Sequence, residues 1–427
     1  MSFHADRLLP TLLLCSLCSP MQSGYAAAPL TQRIVIRDQA AKWQAEIRHT
    51  LFIPDKLPLP EPASFGTFAP APGVLAERVT YATTNGMRIP AILYRPRTTM
   101  AKHMPAIVIV NGHGGDKTSW YAFYSGILYA RAGVVVLTYD PLGEDERNSS
   151  HRSEAREHDT MLPGEEAPRR VAGQMISDIL QSVGYISGRS DVDPQRIAVA
   201  AYSMGSFHSV IAGALDGRVH ALLLSGGGNL DGPEGYWDTS KPMCQGGAYR
   251  ALNFLGDRGA ILYALNQQRG ATLLLNGTAD GLITRPHTDE AFFHDLRART
   301  VALTGTRADL SETQWFEGAG HRPNFVTRHA ALWLNEQLRF PNWTTKSIES
   351  MQEIKISEWA AKSGAHIGQS FQNELSEGGL LALDLEIPNV PRETLQVFSD
   401  VEWQRQKDHL TWTAWVQHVG LSPAKTP

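Results

Sequence analysis

Arg196-Ile197-Ala198-Val199-Ala200-Ala201-Tyr202-Ser203-Met204-Gly205 decides how the rest of the chain is read. Residues 196–200 form a short apolar run of the kind buried inside a sheet, and a helical run begins just after Gly205. A serine in so sharp a strand-to-helix turn stands exposed above the sheet edge, beside a helix N-terminus that favours developing negative charge. Small residues on either side let the chain reverse tightly. The first of them is Ala201, where this pattern ordinarily has glycine.

The flanking sequence repeats the strand-then-helix alternation. Upstream, Glu77–Ala82 and Ile89–Tyr94 flank Thr84-Asn85-Gly86, whose Asn-Gly pair predicts a hairpin. Ala106–Val110 and Val134–Tyr139 predict buried strands, separated by a helix over 120–132 that Gly133 ends. A second helix is expected over 169–187. Downstream, Ala221–Leu224, Thr272–Leu275 and Thr313–Phe316 continue the strands, with helices near 288–299 and 325–339. That order implies an α/β fold: a mostly parallel central sheet with helices on both faces. Two insertions, 141–168 and 229–268, follow strand C-terminal ends, the edge where open α/β sheets bind ligands.

Three chemically distinctive residues fall at that edge. Ser203 is joined by Asp280, after Asn276-Gly277-Thr278-Ala279, and by His321, after Glu317-Gly318-Ala319-Gly320. A serine hydroxyl is a poor nucleophile until a base takes its proton, and an imidazole base needs a carboxylate to fix its tautomer. The loop Asn111-Gly112-His113-Gly114-Gly115 could bring a backbone N–H, that of His113 or alternatively Gly114, to act with the Met204 N–H on a substrate oxyanion. His113 has no neighbour at metal-ligand spacing in the sequence, so no metal is assigned.

With these residues, and with Tyr139-Asp140-Pro141-Leu142-Gly143-Glu144 after the second buried strand, the chain resembles the α/β-hydrolase superfamily over about residues 77–340. Within it the chain looks like the secreted branch grouped with acetyl xylan esterases and dienelactone hydrolases. The resemblance implies a serine hydrolase that needs no cofactor. Ser203 would be the nucleophile, His321 the general base and then acid, and Asp280 the orienting carboxylate. The expected activity is carboxylic-ester hydrolysis on small-molecule or carbohydrate esters such as acetylated sugars. The alternatives are a serine peptidase or acyl transferase on the same fold, and a binding protein that has lost turnover. Tyr236, Trp237 and Arg322 are candidate substrate-binding residues. Tyr236 and Trp237 could wall a sugar or acyl pocket or equally form cap core. Arg322 with Arg152 and Arg156 could hold an acidic substrate group, although 141–168 reads first as a solvated charged loop. Asp140 and Glu144 are expected to stabilise their own turn.

The rest of the chain sets the context. It has 427 residues with 39 Lys+Arg and 43 Asp+Glu, and this balance argues against a nucleic-acid partner. Arg7 before the apolar run 8–17, followed by Ala26-Ala27-Ala28, predicts a signal peptide over 1–28 and a periplasmic or secreted protein. A lipid anchor ranks second, because Leu14 and Leu17 precede Cys15 and Cys18. The run is too short to span a membrane. Removing residues 1–28 would leave Cys244 as the one cysteine, which cannot form an internal disulfide. Residues 29–76 are expected as an N-terminal arm, and 341–427 as a C-terminal extension packed on the catalytic domain. The oligomeric state is not set by any of these features.

Overall fold

The computed structural model describes residues 30–98, 101–231, 235–267, 270–283, 289–304, 311–367 and 380–421. The signal expected at residues 1–28 lies outside them.

Among the described residues a sheet of nine strands runs in the order β1-β2-β3-β5-β4-β6-β7-β8-β9. Strands β1 (Ala63–Phe68), β2 (Val74–Ala82) and β3 (Arg88–Pro96) are antiparallel neighbours, and β3 pairs antiparallel with β5 (Val135–Tyr139). From β5 onward every pairing is parallel, through β4 (Met104–Val110), β6 (Val192–Tyr202), β7 (Ala221–Ser225), β8 (Ala271–Gly277) and β9 (Ser311–Phe316). The continuous apolar runs are buried along their whole length in β4, β5, β7 and β8, as strands covered on both faces must be.

Helices cover both faces. On one, α3 (Ala167–Ser187) and α4 (Met204–Leu215) pack Ile176, Ile179, Val183, Phe207 and Ile211 against Val108, Val199 and Leu222. On the other, α2 (Trp120–Arg131) and the helix Arg328–Leu338 pack Tyr124, Ile127, Ala330 and Leu334 against Ile107, Ile109, Ala200 and Leu223. The alternation of the strands assigns each side chain to one layer or the other.

The segment expected as an N-terminal arm over residues 29–76 begins, among the described residues, with a helix. Residues 30–50 form a helix, α1 (Leu30–Thr50), that docks on α4: Gln44 Nε2 donates to the Ala214 carbonyl at 2.7 Å, and Ile47 and Leu51 are fully buried. The proline-rich part of that segment starts at Pro54, after this helix ends.

The C-terminal extension packs on the α2 face and on the 141–148 turn. Trp359 lies edge-on to Tyr124 with ring centroids 5.0 Å apart, and the Tyr124 hydroxyl donates to the Leu383 carbonyl at 2.8 Å. Trp403 Nε1 donates to the Glu146 carbonyl at 2.9 Å, and Trp415 Nε1 to Gln174 Oε1 at 3.0 Å. Among the described residues no helix is long and apolar enough to cross a membrane.

Candidate active site

Ser203 sits between β6 and α4 with φ +51° and ψ −117°, a conformation L-residues rarely adopt. The strain is held by the frame: Ser203 N–H donates to the Ser225 carbonyl at 2.9 Å, while the Ser203 carbonyl accepts from Ser206 N–H at 2.9 Å. Ala201 does not hinder the turn. It pairs with Val110 and Leu224 inside the sheet, where its methyl is fully buried.

The loops after β8 and β9 bring the other two residues to Ser203. His321 Nε2 lies 2.8 Å from Ser203 Oγ, and His321 Nδ1 lies 2.8 Å from Asp280 Oδ2. The Asp280 side chain is fully buried, and its Oδ1 accepts the Leu282 N–H at 2.9 Å. The two loops cross closely: Ala279 N–H donates to the Ala319 carbonyl at 2.8 Å. A Cβ on Gly277 would stand 2.1 Å from that carbonyl oxygen, so only glycine fits beneath the crossing. Ser225 ties the histidine loop to the end of β7. Its hydroxyl donates to the Arg322 carbonyl at 2.6 Å and accepts the Asn324 N–H at 2.7 Å.

The 111–115 loop passes beside this relay. Gly114 N–H donates to Glu144 Oε1 at 3.1 Å, so that donor is engaged. Burial pushes the Glu144 carboxyl well above its ordinary range. Among the described residues no acceptor meets the backbone N–H of His113, and Met204 opens α4, where N–H groups have no partner within the helix. Of the two alternatives read from sequence, His113 is therefore the one with a donor to offer.

A cavity of about 470 Å³ opens on Ser203 and His321, lined also by His113, Arg156, Tyr236 and Lys241. Tyr236 reaches the cavity as expected, but Trp237 does not. Its ring stacks on Phe207 at 4.8 Å, and its Nε1 donates to Asn229 at 3.1 Å. Arg322 is 3% exposed and lines a different cavity, behind the histidine loop. The next residue along a tight loop points away from its neighbour's side, which a count along the sequence does not reveal.

Arg156 was one of several arginines in the 141–168 insertion, and here it alone of Arg152 and Arg156 lines the cavity. Its guanidinium fills the space that a side chain at Gly114 would need, with Nε 2.6 Å from the position of a Cβ there. Lys241 carries no motif and was missed. Nor do Asp140 and Glu144 act only within their own turn: Asp140 Oδ2 meets Lys117 Nζ at 2.6 Å, and both acids reach across to the 111–117 segment.

The strand order, the two-layer helix cover and the strand-to-helix serine turn at the sheet's centre make one architecture. The chain has the α/β-hydrolase fold. The family model described as acetyl xylan esterase (AXE1) matches this chain over residues 41–225. An uncharacterized protein of Pseudomonas aeruginosa, PA2218, is 28% identical over 205 residues, 48% of this chain and 47% of that one. The aligned segment thus spans about half the length of this relative. Among solved structures, methylesterase BT1017 superposes with a TM-score of 0.57 at 16% identity, covering 92% of this chain and 76% of its own. A glucuronoyl esterase from Solibacter usitatus gives 0.50 at 14% identity, covering 72% and 94%. These two likenesses speak to the fold of the chain and to nothing finer.

Proposed function

We propose that the protein is an exported serine carboxylic-ester hydrolase acting on small acyl esters of carbohydrates. The observation that carries the reading is the relay Ser203–His321–Asp280, joined by two contacts of 2.8 Å and open to a cavity. The acetyl xylan esterase family match supports the ester class.

In this mechanism Ser203 Oγ attacks the ester carbonyl while His321 Nε2 takes its proton. Asp280 accepts the Nδ1–H bond, fixes the tautomer and stabilises the imidazolium. The oxyanion of the tetrahedral intermediate faces the N–H groups of His113 and Met204, dipoles already oriented before charge develops. His321 then protonates the leaving alcohol, and water attacks the acyl-serine by the same relay in reverse.

Hydrolysis of p-nitrophenyl acetate tests the reading. The chain lacking residues 1–28 should turn the ester over, and Ser203→Ala should lower kcat by a factor of about 10³ or more. Equal rates for both proteins, with no fluorophosphonate label on Ser203, would leave the binding-protein alternative.

Arg156 and Lys241 favour a narrower reading, in which the ester also carries an acidic group. Arg156→Ala should then raise KM for a carboxylate-bearing ester several-fold and leave KM for a neutral acetate nearly unchanged. A uniform change for both esters would remove this refinement without touching the mechanism.

A further inference from the structure

Beside the oxyanion loop, three segments distant in sequence deliver four metal-ligand side chains to one point. His113 comes from the loop after β4, His158 and Asp159 from the 141–168 insertion, and Cys244 from the 229–268 insertion. One ligand atom from each lies within 4.8 Å of all the others. Cys244 is a free, fully buried thiol.

The hydrogen bonding around the cluster leaves lone pairs pointing inward. His158 is fully buried, and its Nδ1 lies 3.0 Å from the Leu142 carbonyl, to which it must donate. That bond fixes the neutral tautomer with a lone pair on Nε2, and Nε2 is buried without a hydrogen-bond partner. A ring whose far N–H is held by a backbone carbonyl is the arrangement that orients a histidine toward a metal. His113 Nε2 and Asp159 Oδ1 approach to 2.9 Å, yet neither makes a well-directed hydrogen bond. The carboxylates Asp116, Asp140 and Asp145 also cluster, but Lys117 fills the space among Asp140 and Asp145 at 2.6 Å from each, so that group is an ion-pair network.

We propose that His113 Nε2, His158 Nε2, Asp159 Oδ1 and Cys244 Sγ form a binding site for a divalent transition metal, with Zn²⁺ the best match. Two imidazoles, a thiolate and a carboxylate suit a borderline-soft ion and disfavour Ca²⁺ or Mg²⁺, which take oxygen ligands. Tetrahedral Zn²⁺ at about 2.0–2.3 Å from each ligand needs ligand atoms roughly 3.3–3.7 Å apart. The cluster reaches that spacing by modest side-chain shifts. Binding releases the Cys244 thiol proton, and Zn²⁺ with one thiolate and one carboxylate is neutral overall. Four protein ligands close the coordination sphere, so the ion staples the His113 loop to both insertions and takes no part in the ester chemistry.

The test uses the whole chain, purified without a histidine tag, stripped with a chelator and titrated with Co²⁺. One equivalent should bind and produce a near-ultraviolet thiolate-to-cobalt charge-transfer band together with the visible bands of tetrahedral cobalt. Cys244→Ser should abolish the charge-transfer band, and His158→Gln should weaken Zn²⁺ binding by at least about tenfold. Circular dichroism would verify that both variants are folded. Ser203→Ala should bind like the wild type, so the site stands or falls separately from the hydrolase reading. Failure of the folded wild-type chain to take up Co²⁺, uptake without the thiolate band, or uptake unchanged in both variants would overturn the proposal.

Discussion

Lys117 carries a charge where no water reaches, and its surroundings explain how it stays there. Its ammonium lies 2.6 Å from Asp140, 2.6 Å from Asp145 and 2.8 Å from Glu146, and all four side chains are fully buried. Burial alone would push Asp145 and Glu146 up, but Lys117 outweighs it, helped at Asp145 by Arg392, and both carboxyls end below their ordinary values. Replacing Lys117 with methionine leaves these acids buried without their cation, a loss of about 3–5 kcal/mol. Lys117→Met should therefore lower Tm by many degrees or give insoluble protein. A Tm within a degree or two of wild type would show that the network contributes little. Nothing in the sequence marks Lys117, because its partners lie 23 to 29 residues away in a separate loop. Ser203, Asp280 and His321 were legible for the opposite reason: each sits directly after a strand, where residue type and position together imply a role.

The segment after β7 shows how one element can serve both position and stability. Ser225 at its end holds the histidine loop through two short bonds. Ser225→Ala strands a buried carbonyl and a buried N–H, costing about 1–3 kcal/mol. The variant should stay folded and lose kcat several-fold, with KM little changed, because only the placing of His321 is disturbed. A kcat equal to wild type would mean that Asp280 on the ring and the Tyr202 hydroxyl, which donates to the His321 carbonyl at 3.1 Å, suffice to hold His321. Farther along the same connection, burial raises the Asp231 carboxyl from 3.8 to about 6. The folded chain thus binds this proton more tightly than the unfolded chain does. Stability is fully present below the unfolded value and falls as pH rises through the folded one. Asp231→Asn should leave Tm unchanged near pH 4, raise it at pH 7 and flatten the decline between. An identical pH profile for both proteins would assign that decline to other groups. The alternating strands of this region were readable from apolar runs. Trp237, readable from sequence as pocket wall or as core, packs as core, because an aromatic residue in an insertion looks the same in sequence whether it lines a cavity or stacks beneath it.

For the molecule as a whole, the C-terminal extension is part of the core. Trp359, Trp403 and Trp415 are nearly or wholly buried against the rest of the fold, and each ring is worth about 1.5–3 kcal/mol of burial. Arg392 adds a contact of 2.5 Å to Asp145 inside the Lys117 network. Ending the chain before Pro341 would expose the α2 face and strip Asp145 of one partner, so the shortened protein should aggregate or melt far below the full chain. A soluble, equally active truncation would contradict this. The sequence by itself determined the alternation of strands and helices, the helix cover, the serine turn and the two candidate partners beyond later strands, since each is written in local periodicity and in residues adjacent to it. The order of the strands within the sheet came from the tertiary structure. Tertiary structure alone decided that Gly114 is engaged by Glu144, that Arg156 and not Arg322 faces the cavity, and that His113, His158, Asp159 and Cys244 converge. Those contacts join residues as far as 131 positions apart. Their distances depend on how loops pack once the sheet has formed, and periodicity carries no record of that.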